Sequence, residues 1–195
     1  MHATAVYAGR VRIIAGEKKG HRIAAPKGAT TRPTSDFVRE TASNLIGPVD
    51  GAAVLDVFAG SGALGLEALS RGAARVTFVD SDRDACRTIN ANLDKLKLHA
   101  TVLCQDALRA LSTERSTYDL VLADPPYDYR QLDRIAPHLK RVLAPDGLLV
   151  YQSDARTEPA IDGLEIRTSR KYGSARLTLF EVEGWLSRER FDGQR

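Results

Sequence analysis

The sequence predicts an α/β fold built on a mostly parallel sheet with helices on both faces. Three observations predict it. From residue 53 onward, short apolar runs alternate with longer amphipathic segments at the spacing of strand–helix–strand units. The first apolar run ends in a glycine-rich turn, "AGSGALG", which opens the following amphipathic segment. Asp56, Asp80 and Asp106 fall at or near the carboxyl ends of three successive runs, the end of an open α/β sheet where ligands bind.

Taken in order, "AVLDVF" (53–58) reads as a buried strand and "LGLEALSRG" (64–72) as a helix closed by Gly72. "RVTFVD" (75–80) is the next strand and "DRDACRTINANLDKL" (82–96) the next helix. "ATVLCQD" (100–106), "YDLVLADPP" (118–126) and "GLLVYQS" (147–153) read as strands, with a helix over 129–143 that contains Pro137. The segment 164–183 reads as two strands around "KYGSA", an antiparallel hairpin at the sheet edge. Ahead of this body, "VRIIAG" and "HRIAAP" form a small hairpin turning at "EKKG", and "TSDFVRETASNLIG" (34–47) a capped helix. The domain reading is therefore a basic β-hairpin extension over 1–33, the α/β domain over 34–183 and a charged tail over 184–195.

Composition sets bounds on the rest. The 195 residues are 43% hydrophobic and 27% charged, which suits an ordinary globular domain with a substantial core. No apolar run reaches the ~20 residues of a membrane span, and the first residues lack the apolar segment of a signal peptide. Two cysteines, Cys86 and Cys104, point to a reducing cytoplasm rather than a disulfide framework. Four scattered histidines show no zinc-ligand spacing, so no metal site is expected. The net charge of +3 conceals an asymmetry: residues 1–40 hold eight Lys/Arg against three Asp/Glu, giving +5. Lys18, Lys19 and Arg22 belong to this basic stretch, of the kind that meets phosphates or simply faces solvent.

Within the glycine turn, Gly60, Gly62 and Gly65 satisfy G-x-G-x-x-G, a pattern shared by dinucleotide and S-adenosylmethionine sites. Asp56 favours the second. It lies four residues before Gly60, where its charge would repel a pyrophosphate but attract the ammonium of an amino-acid ligand. Gly60, Ser61 and Gly62 would then hold that part of the cofactor. Asp80, with Ser81 beside it, would accept from the ribose hydroxyls, and Asp106 with the Ala107 amide would meet the adenine edge. Helix capping is the competing role for Asp80 and Asp106.

"LVLADPPYDY" (120–129) closes the fourth strand of this body. Pro125 and Pro126 lack backbone donors, and Asp124 is pushed into an extended conformation before them. The result is an acceptor-rich corner. The Asp124 side chain and the Pro125 carbonyl can accept from an exocyclic amine and aim its lone pair at a methyl donor, while Tyr127 stacks on an extruded base. The corner suits N-methylation of a planar amine or amide, and the adenine-N6 or cytosine-N4 amine of DNA and a protein glutamine side chain remain open on these residues. A non-catalytic RNA-binding factor on the same fold is the reading from outside the enzymes.

The combination of "RIIAG", "TRPTSDFVRE", "VLDVFAGSGALGLEALSRGA", "DLVLADPPY" and "YGSARLTLFE" over residues 10–182 resembles the bacterial 16S rRNA (guanine(966)-N2)-methyltransferase family. The resemblance implies a class I SAM-dependent methyltransferase (Rossmann-like) fold, a seven-stranded mostly parallel sheet with an antiparallel C-terminal strand and a small N-terminal hairpin. It implies S-adenosylmethionine as cofactor and 16S rRNA in the small ribosomal subunit, or in its assembly intermediate, as substrate. It also implies that Asp124 to Tyr127 form the catalytic corner and that Arg32, Thr34 and Arg39 approach the RNA at its mouth. A cytoplasmic monomer is expected.

Overall fold

A computed structural model describes residues 11–26, 46–126 and 129–183. Arg32, Thr34, Arg39, Tyr127, most of the expected helix over 34–47 and the tail from residue 184 lie outside the described residues. Two strands, β1 (Val11–Arg12) and β2 (Arg22–Ile23), pair antiparallel as the N-terminal hairpin. The main body then runs β3 (Ala53–Val57), α1 (Ala63–Ser70), β4 (Arg75–Asp80), α2 (Arg83–Leu96), β5 (Thr101–Cys104) and α3 (Ala107–Thr113). It continues through β6 (Tyr118–Ala123), α4 (Leu132–Val142), β7 (Leu143–Asp154), β8 (Leu164–Tyr172) and β9 (Ala175–Val182).

These strands form one seven-stranded sheet in the order β5-β4-β3-β6-β7-β9-β8. β3 to β7 are parallel, and β9 inserts antiparallel between β7 and β8. The expected fold class is the one found. The chain leaves β3 toward β4 and β5 on one side and returns to β6 on the other. That makes the carboxyl end of β3 the switch point of the sheet, where a crevice opens.

Alternation along β3 decides which face meets which helix. Val54 packs with Leu66 of α1, Ile89 and Leu93 of α2, and Ile13 and Ile23 of the hairpin. Leu55 and Val57 face the other way, into a cluster with Leu111 of α3 and Ile135 and Leu139 of α4. Asp56 shares the parity of Val54 and so points toward α1.

Element ends shift by a few residues in most elements, and three departures from expectation stand out. α3 has no counterpart in the sequence reading, because a seven-residue helix offers barely two turns of periodicity. β7 begins at Leu143 rather than Gly147, since Leu143 pairs with Tyr118 before a register shift that accommodates Pro145 at an exposed position. α4 starts at Leu132, three residues later than the pattern suggests.

The hairpin is stitched into the body. The buried Glu67 carboxylate accepts from Ile14 N (2.7 Å), Ala15 N (2.9 Å) and Arg71 Nε (2.8 Å). Gly16 has φ +81°, and a Cβ there would overlap the Ser70 carbonyl, so the turn lies flat on the end of α1. On the return strand, Asn92 Oδ1 accepts from Ala24 N (2.8 Å) while its amide donates to the carbonyls of Ala24 (3.0 Å) and Ser61 (3.1 Å). One buried side chain on α2 thus joins the hairpin to the glycine turn. Among the described residues, no helix is long and apolar enough to cross a membrane.

Candidate active site

The strand registers bring the predicted acids to one rim. Val57 pairs with Val79 on β4 and with Ala123 on β6, so Asp80, Phe58 and Asp124 follow side by side across the carboxyl end of the sheet. At the usual spacing of neighbouring strands, Asp80 and Asp124 stand about 10 Å apart with Phe58 between them. Phe58 has φ 63°, an uncommon conformation for a non-glycine residue, and β3 leaves the sheet there. Cys104 pairs with Asp80 and continues the row onto β5.

Beneath this row sits Asp56, 2% exposed. Its Oδ2 accepts from Gly65 N at 2.9 Å. Gly65 is required for that contact: a Cβ at this position would overlap the Phe78 ring, so only glycine lets α1 approach β3 and β4 closely enough. Burial pushes the Asp56 carboxyl up to about 7, against the opposing Gly65 N–H, and the nearby Asp124 and Asp80 charges add to the rise. The site therefore concentrates negative charge around a carboxyl that a cation would ionise.

Asp80 receives two backbone donors, Gly60 N at Oδ2 (2.8 Å) and Asp82 N at Oδ1 (2.8 Å). It braces the glycine turn, with carboxylate lone pairs left over for a ligand. Capping of α2 falls to Asp82, which accepts from Asp84 N at 2.7 Å, while Ser81 is exposed beside it. Asp106 caps α3, accepting from Arg109 N at 3.1 Å, with Ala107 buried next to it. The capping role weighed for Asp106 is thus real, and its exposed carboxylate keeps further acceptor capacity. Gly60 has φ +55° and a Cβ built on it meets nothing within 4 Å, so the turn presents open space on the crevice side. Gly62, at φ 76°, precedes α1. Buried Asp56, the open turn and three further acids form a donor and acceptor set suited to a cationic amino acid joined to a nucleoside.

At the corner, Asp124 is exposed, Pro125 buried and Pro126 exposed. Tyr129 N donates to the Pro126 carbonyl at 2.8 Å. Two aromatic residues that the sequence reading missed line this region. The Tyr129 ring packs edge-on against Phe58, centroids 4.9 Å apart. Its phenol is pushed up by burial first and by the Asp106 charge second. Tyr151, level with Ala123 on β7, is buried, and burial with Tyr129 and Asp124 nearby pushes it up to about 12. An aromatic residue three positions past a Pro-Pro turn was the available signal for Tyr129.

The basic hairpin residues sit elsewhere. Lys18 N donates to Ser70 Oγ (2.9 Å) and Lys18 Nζ pairs with Glu17 (2.7 Å), while Lys19 and Arg22 are exposed. Lys95 Nζ donates to the Arg22 carbonyl at 2.8 Å. This group lies at the far end of α1 and α2, about 12 Å down the helix from the glycine turn at 1.5 Å per residue. Ala24, by contrast, shares Asn92 with the Ser61 carbonyl.

The sequence pattern of the family described as conserved hypothetical protein 95 matches residues 11–181. The YlbH protein of Bacillus subtilis is 39% identical over 184 residues, 89% of this chain and 100% of that protein. Ribosomal RNA small subunit methyltransferase D of Haemophilus influenzae is 35% identical over 161 residues, covering 78% of this chain and 83% of the relative. The solved structure of yhhF from Escherichia coli superposes with a TM-score of 0.82 at 34% identity, covering 90% of this chain and 99% of that one.

Proposed function

This chain belongs to the family described as conserved hypothetical protein 95, that of ribosomal RNA small subunit methyltransferase D, and we propose that it methylates the exocyclic N2 amine of a guanine in 16S rRNA. The substrate form is the small ribosomal subunit or an assembly intermediate, and guanine 966 is the position suggested by the family resemblance. S-adenosylmethionine, when bound, supplies a sulfonium-activated methyl group. The observation that carries the reading is the row Asp80–Phe58–Asp124 at the switch point, with buried Asp56 beneath it.

The residues divide the work. Asp56 holds the ammonium of the amino-acid moiety, becoming ionised as it does so. Gly60, Ser61 and Gly62 leave room for the backbone to lie against that moiety. Asp80 and Ser81 take the ribose hydroxyls, and Asp106 with the Ala107 amide takes the adenine. Asp124 and the Pro125 carbonyl accept the two N–H bonds of the target amine, favouring a pyramidal nitrogen whose lone pair faces the methyl group. Pro126 fixes the turn, and Tyr127 stacks on the extruded base. Arg32, Thr34 and Arg39 approach the RNA near the mouth, and Lys18, Lys19 and Arg22 meet backbone phosphates farther away.

The test is methyl transfer from labelled S-adenosylmethionine to small subunits lacking the modification, with naked rRNA and duplex DNA in parallel. Label is expected at a guanine N2 in the subunits, reduced about 100-fold or more in Asp124→Ala, the scale of losing one well-placed polar contact to the transition state. Label on DNA alone would overturn the substrate, and cofactor binding without transfer to any of the three would overturn the reaction.

A further inference from the structure

We infer that the tip of the β8–β9 hairpin is an RNA-backbone contact, in which Arg170 and Lys171 hold phosphates a few nucleotides from the one being modified. This rests on the rRNA methyltransferase reading. The sheet register supplies the geometry. Ala123 pairs with Tyr151, so Asp124 comes level with Gln152. Gln152 pairs with Leu177, and Leu177 with Arg170. Arg170 therefore stands on the same row as Asp124, three strands away, which is about 14 Å at the usual strand spacing. Lys171 is one residue beyond and on the opposite face of β8. The two cations bracket the end of the sheet on the side of the corner remote from the cofactor acids.

Charge bookkeeping at this end leaves both available. Among the described residues beyond the corner, Asp154 is matched by Arg156 (2.9 Å) and Glu158 by Arg176 (2.8 Å). Arg170 and Lys171 are exposed, and beyond their backbone pairing with β9 neither side chain takes part in a hydrogen bond or ion pair among the described residues. Tyr172 next to them packs into the core, and Ser169 bonds to Arg176 Nη1 (2.7 Å), so the cations project from an anchored hairpin. A rigid, surplus-positive edge beside a crevice suits the backbone of an RNA whose base has entered that crevice.

Edge strands also carry charged residues to block pairing with other sheets. Charge reversal separates the two roles, because glutamates guard an edge as well as lysines do. The experiment measures methylation of small subunits by the full chain over a salt series for wild type, R170E/K171E and the charge-conserving R170K/K171R. In the reversed variant the KM for subunits is expected to rise tenfold or more, with kcat, S-adenosylmethionine affinity and melting temperature unchanged. The slope of log(kcat/KM) against log[salt] should become shallower by about 1.4–1.8, the value for two phosphates. R170K/K171R should restore both. An unchanged KM and slope would reduce the pair to edge protection, and a raised KM with an unchanged slope would rule out a phosphate contact. If wild type does not methylate subunits, the parent reading fails. Salt-dependent filter retention of naked 16S rRNA by the same three proteins then decides the inference by itself: equal retention overturns it.

Discussion

Asp56 combines nearly complete burial with a carboxyl that titrates near neutrality, and this has two consequences of opposite sign. In the free protein its folded value, about 7, exceeds the ordinary 3.8, so the folded state binds more protons than the unfolded chain between those limits. The stability this confers is fully present below about pH 4 and is lost as pH rises through 7. An ammonium ligand reverses the preference, because it is attracted only to the ionised form. S-adenosylmethionine affinity should therefore rise about tenfold per pH unit up to 7 and then level off, with a proton released on binding. Calorimetric titration from pH 5.5 to 8 checks this, and Asp56→Asn should bind weakly with no such pH dependence. On the other flank of the rim, exposed Cys104 pairs with Asp80, and Cys86 Sγ donates to the Asp80 carbonyl at 3.4 Å. Burial, with the Cys104 thiol alongside, pushes Cys86 up to about 12, so Cys104 is the accessible sulfur. A bulky maleimide on Cys104 should lower cofactor affinity in an equilibrium binding assay, and Cys104→Ser should be insensitive to the reagent.

Elements in this protein are joined by single buried polar side chains rather than by apolar contact alone. Glu67 on α1 receives two hairpin amides and Arg71, using both carboxylate oxygens. Glu67→Gln keeps the shape but turns one acceptor into a donor facing an amide. It should cost roughly 1–3 kcal/mol, the price of one unsatisfied buried group, seen as a lowered midpoint in urea unfolding. Gly65→Ala should be worse for function than for folding: the helix must move off the Phe78 ring, which withdraws the N–H from Asp56. The measurement is cofactor affinity against melting temperature in the same variant, with affinity falling by the larger factor.

At the scale of the whole molecule, two groups of charged residues lie at opposite ends of the strand axis. The carboxyl end carries the acids and aromatic residues of the crevice, while the turn bearing Lys18 and Lys19 lies at the other end of α1, on Ser70. Substrate contacts made there would act on the substrate as a body, not on the reacting base. Charge reversal of Lys19 and Arg22 should thus raise the KM for small subunits and leave kcat and S-adenosylmethionine affinity unaltered, as steady-state kinetics would report. A fall in cofactor affinity would instead assign the hairpin a structural role through Asn92 and Ser61.

The linear order of residues by itself determined the alternation of strands and helices from residue 53, the glycine turn and the abrupt end of the strand at Asp124. These are legible because periodicity, glycine and proline act within a few residues of themselves. β4, for example, was read at its observed limits, 75–80. Only the tertiary structure decided that Asp80 and Asp124 flank Phe58, that Asp56 is buried against Gly65, and that Arg170 stands level with the corner. Those relations are set by strand order and register, and β3 has as its neighbours β4 and β6, whose sequences lie about 20 and 65 residues away. Short-range physics names the parts, and the pairing of distant strands makes them one site.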